Sequence, residues 1–230
     1  MELAETPEEV LGLKKFDYVG GIYQPTVSFI EEMRDRLGEK TFYPWFIVYD
    51  FEAMLLPVEQ FESSIRWQTK HHPISVSVCS NAPSYREPQC FVNENLSELL
   101  KQMLDYMRQI ASEIYFLASQ RWDSVIHKED LKQKLEKYKQ EVPVLGFNSA
   151  KYDMNLIKSE FAKVLELHET KDYFVVKKSN QYLCISNPQF RFLDISHYLA
   201  PGYSYAKFLK AYKTEEANFF LSQRMVQQCG

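Results

Sequence analysis

A chain of 230 residues can form one large domain or one domain with appendages. Hydrophobic content of 45% and aromatic content of 15%, with only 7 glycines, exclude a mostly disordered chain. A formal net charge of -4 is not that of a strongly basic nucleic-acid binder, although an enzyme that grips nucleic acid through metal ions needs less basic surface.

Cys79, Cys90, Cys184 and Cys229 lie far apart and lack the CxxC spacing of a metal-ligand pair. They are expected to be reduced thiols of an intracellular protein. The N-terminus is acidic, without an apolar signal core, and no run of about 18 apolar residues is present. Nucleus or cytoplasm is the expected location, with no secretion, no membrane contact and a monomer as the default.

Residues 1–24 read as peripheral. Thr6 and Glu9 form a capping box around Pro7, and Gly20-Gly21 interrupts the chain. Residues 25–37 read as an amphipathic helix on the spacing of Val27, Ile30, Met33 and Leu37, ended by Gly38. Residues 41–54 read as a buried strand stopped by Pro57. Within it Asp50 and Glu52 are two apart, so both point to one face. Two acids there repel each other and are costly to desolvate. Either they sit at a strand end in solvent, or a divalent cation removes the cost, and oxygen ligands suit magnesium or manganese.

Residues 59–70 are expected to be a connecting loop with a turn of helix. His71-His72-Pro73 invites a metal reading, but adjacent side chains diverge and no third ligand is near in sequence. Residues 73–80 alternate apolar and small polar side chains, a strand pattern, and 89–93 read as a short return strand after the turn at 81–84. These two are expected to pair antiparallel beside the central strand. Residues 96–120 form a helical pattern with Leu99, Leu100, Met103, Met107, Ile110 and Ile114 on one stripe. Residues 123–140 read as a second helix, whose mixed charges suit a solvated face better than nucleic acid. A short apolar strand, 142–147, is followed by a helix at 154–167. Residues 172–178 and 181–186 are strands joined by a hairpin signal at Ser179-Asn180. Residues 191–195 read as a further strand and 203–212 as a helix. The order predicts an α/β fold, a mixed sheet flanked by helices with the carboxylate strand at its centre. The expected organisation is a peripheral segment over 1–40, the domain over 41–213 and a divergent tail over 214–230.

Asp153 falls six residues after the 142–147 strand, at the start of the 154–167 helix. There it is either a helix-start residue favoured by the dipole or, if the preceding strand lies next to the central one, a third acid facing Asp50 and Glu52. Asn148 is suited to hydrogen-bonding a nucleotide and Tyr152 to stacking on a base.

The combination resembles a known family. Tyr49-Asp50-Phe51-Glu52 in a strand, then Phe147-Asn148-Ser149-Ala150-Lys151-Tyr152-Asp153 at a strand-to-helix junction about a hundred residues on, is similar to the 3′–5′ exonuclease domain of family B DNA polymerases. It looks most like the protein-primed branch of viruses, organellar plasmids and self-synthesising transposons. Asp50 and Glu52 match the first exonuclease motif, and Asn148, Tyr152 and Asp153 the second. The stretch 190–199 resembles a strand that helps line the single-stranded DNA channel. The similarity extends over about 42–212.

The resemblance implies a ribonuclease-H-like fold and a two-metal mechanism using magnesium or manganese. It implies that Asp50, Glu52 and Asp153 hold the ions and are catalytic. It further implies that Phe51, Phe147, Asn148, Tyr152, Asp194 and Ser196 contact the 3′ end of single-stranded DNA. The family's fourth carboxylate, in a Tyr-x-x-x-Asp motif, has no match. Tyr212 to Glu216 is the nearest, with Glu216 in the aspartate slot. The polymerase palm is absent as well. Loss of a metal-positioning carboxylate removes stabilisation that exists mainly in the transition state. The expectation is a fragment of a DNA-directed DNA polymerase, serving DNA replication in its parent, with weak or no exonuclease activity. The alternatives are a decayed or domesticated transposon remnant that binds DNA or protein, and another ribonuclease-H-like nuclease.

Overall fold

The computed structural model describes residues 18–19, 22–23, 43–62, 65–123, 129–165, 173–179, 181–199 and 202–211. The chain divides into two compact units, 1–44 with 115–140, and 45–114 with 141–230. The expected helices near Thr6 and over 25–37, Glu216, and the tail over 214–230 lie outside the described residues.

The larger unit is α/β. Its seven-stranded mixed sheet has the order β5-β4-β3-β6-β9-β8-β7. The strands are β3 (Ile47–Glu62), β4 (Ile65–Ser80), β5 (Gln89–Val92), β6 (Val142–Gly146), β7 (Phe174–Lys178), β8 (Gln181–Ser186) and β9 (Phe190–Asp194). Two further two-residue strands, β1 (Tyr18–Val19) and β2 (Ile22–Tyr23), pair antiparallel in the smaller unit. β3 and β4 pair antiparallel, as do β4 and β5, whereas β3, β6 and β9 run parallel. β9 continues into the antiparallel β8–β7 hairpin. The helices are α1 (Leu96–Trp122), α2 (Glu129–Gln140), α3 (Asp153–Val164) and α4 (Tyr205–Ala211). This mixed sheet flanked by helices is compatible with a ribonuclease-H-like fold.

Alternation explains the core. Ile47, Tyr49 and Phe51 of β3 are buried on one face, with Val144 of β6 and Phe192 of β9 buried in the neighbouring strands. α3 covers that face: the Phe161 ring meets Phe192 edge-on at 4.9 Å, and Phe192 meets Tyr49 at 6.1 Å. The stripe read on α1 is buried, from Leu99 to Ile114, each such side chain contributing roughly 1.5–3 kcal/mol. The Ser97 hydroxyl donates to Glu160 at 2.8 Å and ties α1 to α3.

The largest departure from expectation is the β3–β4 hairpin. Pro57 does not stop the strand, and 59–70 is not a loop with a helical turn. Both strands are 16 residues long, and Pro57 stays in register with Thr69, next to a register shift before Gln60. The reason is topological. Among the described residues, β6 pairs only with Ile47 and Val48 of β3, and β5 only with Ser75 to Val78 of β4. Beyond these the hairpin is a two-stranded ribbon. Each strand of such a ribbon has one unpaired edge, and a proline is tolerated where its nitrogen faces that edge or where it stands beside a bulge.

Smaller shifts are at element ends. The strand expected from 41 starts at Ile47, and the helix expected from 123 is described from Glu129, Asp123 lying in a turn. Cys79 and Cys184 are free thiols, but Cys90 is disulfide-bonded, so the expectation of reduced cysteines fails there. No helix among the described residues is long and apolar enough to cross a membrane.

Candidate active site

The parallel pairing of β6 with β3 brings the two motifs together. Ile47 lies opposite Val144 and Val48 opposite Leu145. The two strands therefore run toward the same end of the sheet, and the chain after Gly146 turns through 147–152 into α3, whose first residue is Asp153.

That turn needs its residues. A Cβ on Gly146 would stand 2.5 Å from both Cβ and Oγ of Ser149 and 3.3 Å from Cζ of Tyr49, so no larger side chain fits without a shift. Asn148 has φ 59°, the left-handed region in which asparagine is enriched. Asp194, 2% exposed, clamps the turn from β9. Its Oδ1 accepts from the backbone N–H of Asn148 at 2.9 Å and of Ser196 at 2.8 Å, and its Oδ2 accepts from Ala150 N–H at 2.9 Å. Hydrogen bonds to a charged acceptor contribute about 1.5–3 kcal/mol each.

Asp153 is 3% exposed. Burial, then the charges of Asp50, Asp194 and Glu52, push its pKa up from 3.8 to about 7. A helix N-terminus favours a carboxylate by about 0.3–1 kcal/mol, which is smaller than the opposing terms here, since one pKa unit is about 1.4 kcal/mol. The dipole thus does not account for Asp153. Asp50 is half-buried on the face of β3 opposite Tyr49, and burial, then Glu52, push it up to about 6 against the help of a backbone hydrogen bond from Phe51. Glu52 is exposed on that same face. The charges that shift Asp153 are all acidic.

This environment fits a divalent cation chemically: the hard oxygen donors of Asp50 and Asp153, shifted by burial and by like charge, with the exposed carboxylate of Glu52 on the same face as Asp50. Among the described residues, however, no group of three or more His, Cys, Asp or Glu side chains stands ready to hold an ion.

The other expected contact residues divide. Tyr152 is 38% exposed beside Asp153, and burial, then the charges of Asp153 and Glu52, raise its pKa. Asn148 is exposed at the turn. Phe147 has its ring edge-on to Tyr205 at 4.9 Å, and so anchors α4. Ser196 serves Asp194 through its backbone. Phe51 faces the core with Tyr49, on the other face of β3 from Asp50 and Glu52. Strand alternation alone signals this, because residues 50 and 52 share one face and 51 must take the other.

His71 is the residue that sequence reasoning passes over. Its Nδ1 lies 2.6 Å from the Tyr152 hydroxyl, while Nε2 of His72 meets the carbonyl of Glu94 at 3.0 Å. The neighbouring imidazoles do diverge, but one of them reaches the site.

No family model matches the chain, and no curated protein matches it.

Proposed function

We propose that this chain carries the 3′–5′ exonuclease domain of a protein-primed family B DNA polymerase, acting on the 3′ end of single-stranded DNA. The observation that carries the reading is the setting of Asp153 at the start of α3: burial, then the charges of Asp50 and Glu52 on β3 and of Asp194 on β9, raise its pKa, and no base is among the charges that shift it. Asp50, Glu52 and Asp153 would hold magnesium or manganese. When bound, the ions supply an activated water and stabilise the departing 3′ oxygen. The chain's own groups bind and orient. Tyr152 offers its ring to the terminal base and Asn148 its amide, while Asp194 keeps the turn that carries both in place.

The family's Tyr-x-x-x-Asp motif has no match in the sequence, so the reading includes weak or no hydrolysis. Incubation with end-labelled single-stranded DNA and manganese tests it. Metal-dependent binding with little shortening is expected. Ladder-like 3′ shortening abolished by Asp50→Ala would leave the site assignment standing and overturn the claim of weakness. The absence of any metal dependence would overturn the assignment.

A further inference from the structure

His71 lies on β4 opposite Leu55, in the part of the ribbon beyond the pairings with β5 and β6. From there it meets Tyr152, 81 residues away in sequence, in two ways. The Tyr152 hydroxyl and His71 Nδ1 are 2.6 Å apart, and the two rings stand edge-to-face with centroids 5.4 Å apart. The hydroxyl can donate or accept, so the bond runs from Tyr152 to Nδ1 in one imidazole tautomer and from Nδ1 to Tyr152 in the other. Both side chains are exposed, and a bond between solvent-facing groups adds little to stability. Its effect is on direction. An exposed tyrosine otherwise samples several rotamers, whereas one held at its hydroxyl and at its ring edge presents a fixed face.

We propose that His71 is a positioning residue of the acidic site, holding the Tyr152 ring as a platform for the terminal base of single-stranded DNA. The inference rests on the reading above. It gives the ribbon a role: the arm brings a histidine from outside both motifs to the residue next to Asp153.

The test is the affinity of the full chain for a fluorescent oligothymidine, with calcium present. His71→Phe keeps a ring without the hydrogen-bonding nitrogen, His71→Asn keeps a hydrogen-bonding amide near the Nδ1 position, and Tyr152→Phe removes the hydroxyl. His71→Phe and Tyr152→Phe are each expected to weaken binding about 5-fold, and their combination by the same about 5-fold, because both remove one contact. His71→Asn should stay within about 2-fold of wild type, and all variants should melt together. Wild-type affinity in His71→Phe, or a double variant weakened by about 25-fold, overturns the inference and leaves the functional reading intact. If the wild-type chain binds no oligothymidine, the functional reading fails and the inference with it.

Discussion

Lys139 and Asp153 are both almost wholly buried, at 1% and 3% exposure, yet their charges meet opposite surroundings. In the smaller unit, Nζ of Lys139 lies 2.7 Å from Asp123 and 2.6 Å from Glu136, donates to Ser119 at 3.2 Å and stands 5.0 Å from the centre of the Tyr115 ring. Burial opposes the ammonium, but its bonds to the two carboxylates outweigh it, and its pKa is raised. In the larger unit, burial opposes the carboxylate of Asp153 and its neighbours oppose it too. The difference lies in the counter-charge rather than in burial. A buried charge met by opposite charge is complete as it stands. One met by acids alone is short of positive charge, which a divalent cation would supply.

Asp194 belongs with Lys139, since backbone N–H groups answer its charge. Asp194→Ala strips three backbone donors of their acceptor and should cost about 3 kcal/mol, read from urea denaturation. A loss below about 1 kcal/mol would show that the turn does not depend on this clamp. Lys139→Met should cost about 2 kcal/mol, less than a fully buried pair, because Asp123 and Glu136 are half exposed and can rehydrate. Asp153→Asn should have the opposite sign. It removes an unanswered charge, so the metal-free protein should gain about 1–2 kcal/mol at pH 8. A loss there would mean that the charge is balanced after all.

The smallest effect is on pH dependence. The folded pKa values of about 6 for Asp50 and about 7 for Asp153 lie above 3.8, so the folded state holds these protons more tightly. Their contribution to stability is complete below about pH 4 and is lost as pH rises through 6 and 7. The stability gap between wild type and Asp153→Asn should therefore narrow from pH 8 to pH 5, by on the order of 1 kcal/mol. A gap that does not change with pH would break the contrast with Lys139.

The sheet and the acids are legible in the sequence because they rest on local alternation. Residues 47–52, 142–146 and 190–194 alternate buried and less buried side chains, and one helical stripe marks α1. The ribbon is not legible. Pro57 reads as a strand stop unless it is known that β3 pairs with β6 only as far as Val48. Asp194 reads as a substrate contact because nothing local shows that its oxygens face backbone N–H groups 44 and 46 residues away. Asn148 has a backbone reason for being asparagine, its φ of 59°, besides any contact with a nucleotide. His71 meets Tyr152 only through the long hairpin, so no spacing in the chain announces the pair.

The central claim is that Asp50 and Asp153 form a site short of positive charge. Titration of manganese into the metal-free protein at pH 8, followed by melting temperature and calorimetry, tests it most directly. The account predicts saturable binding that raises the melting temperature of the wild type and is lost in Asp50→Asn and in Asp153→Asn, although both variants are the more stable without metal. Equal response of wild type and both variants to manganese, or no response in any of them, would contradict it.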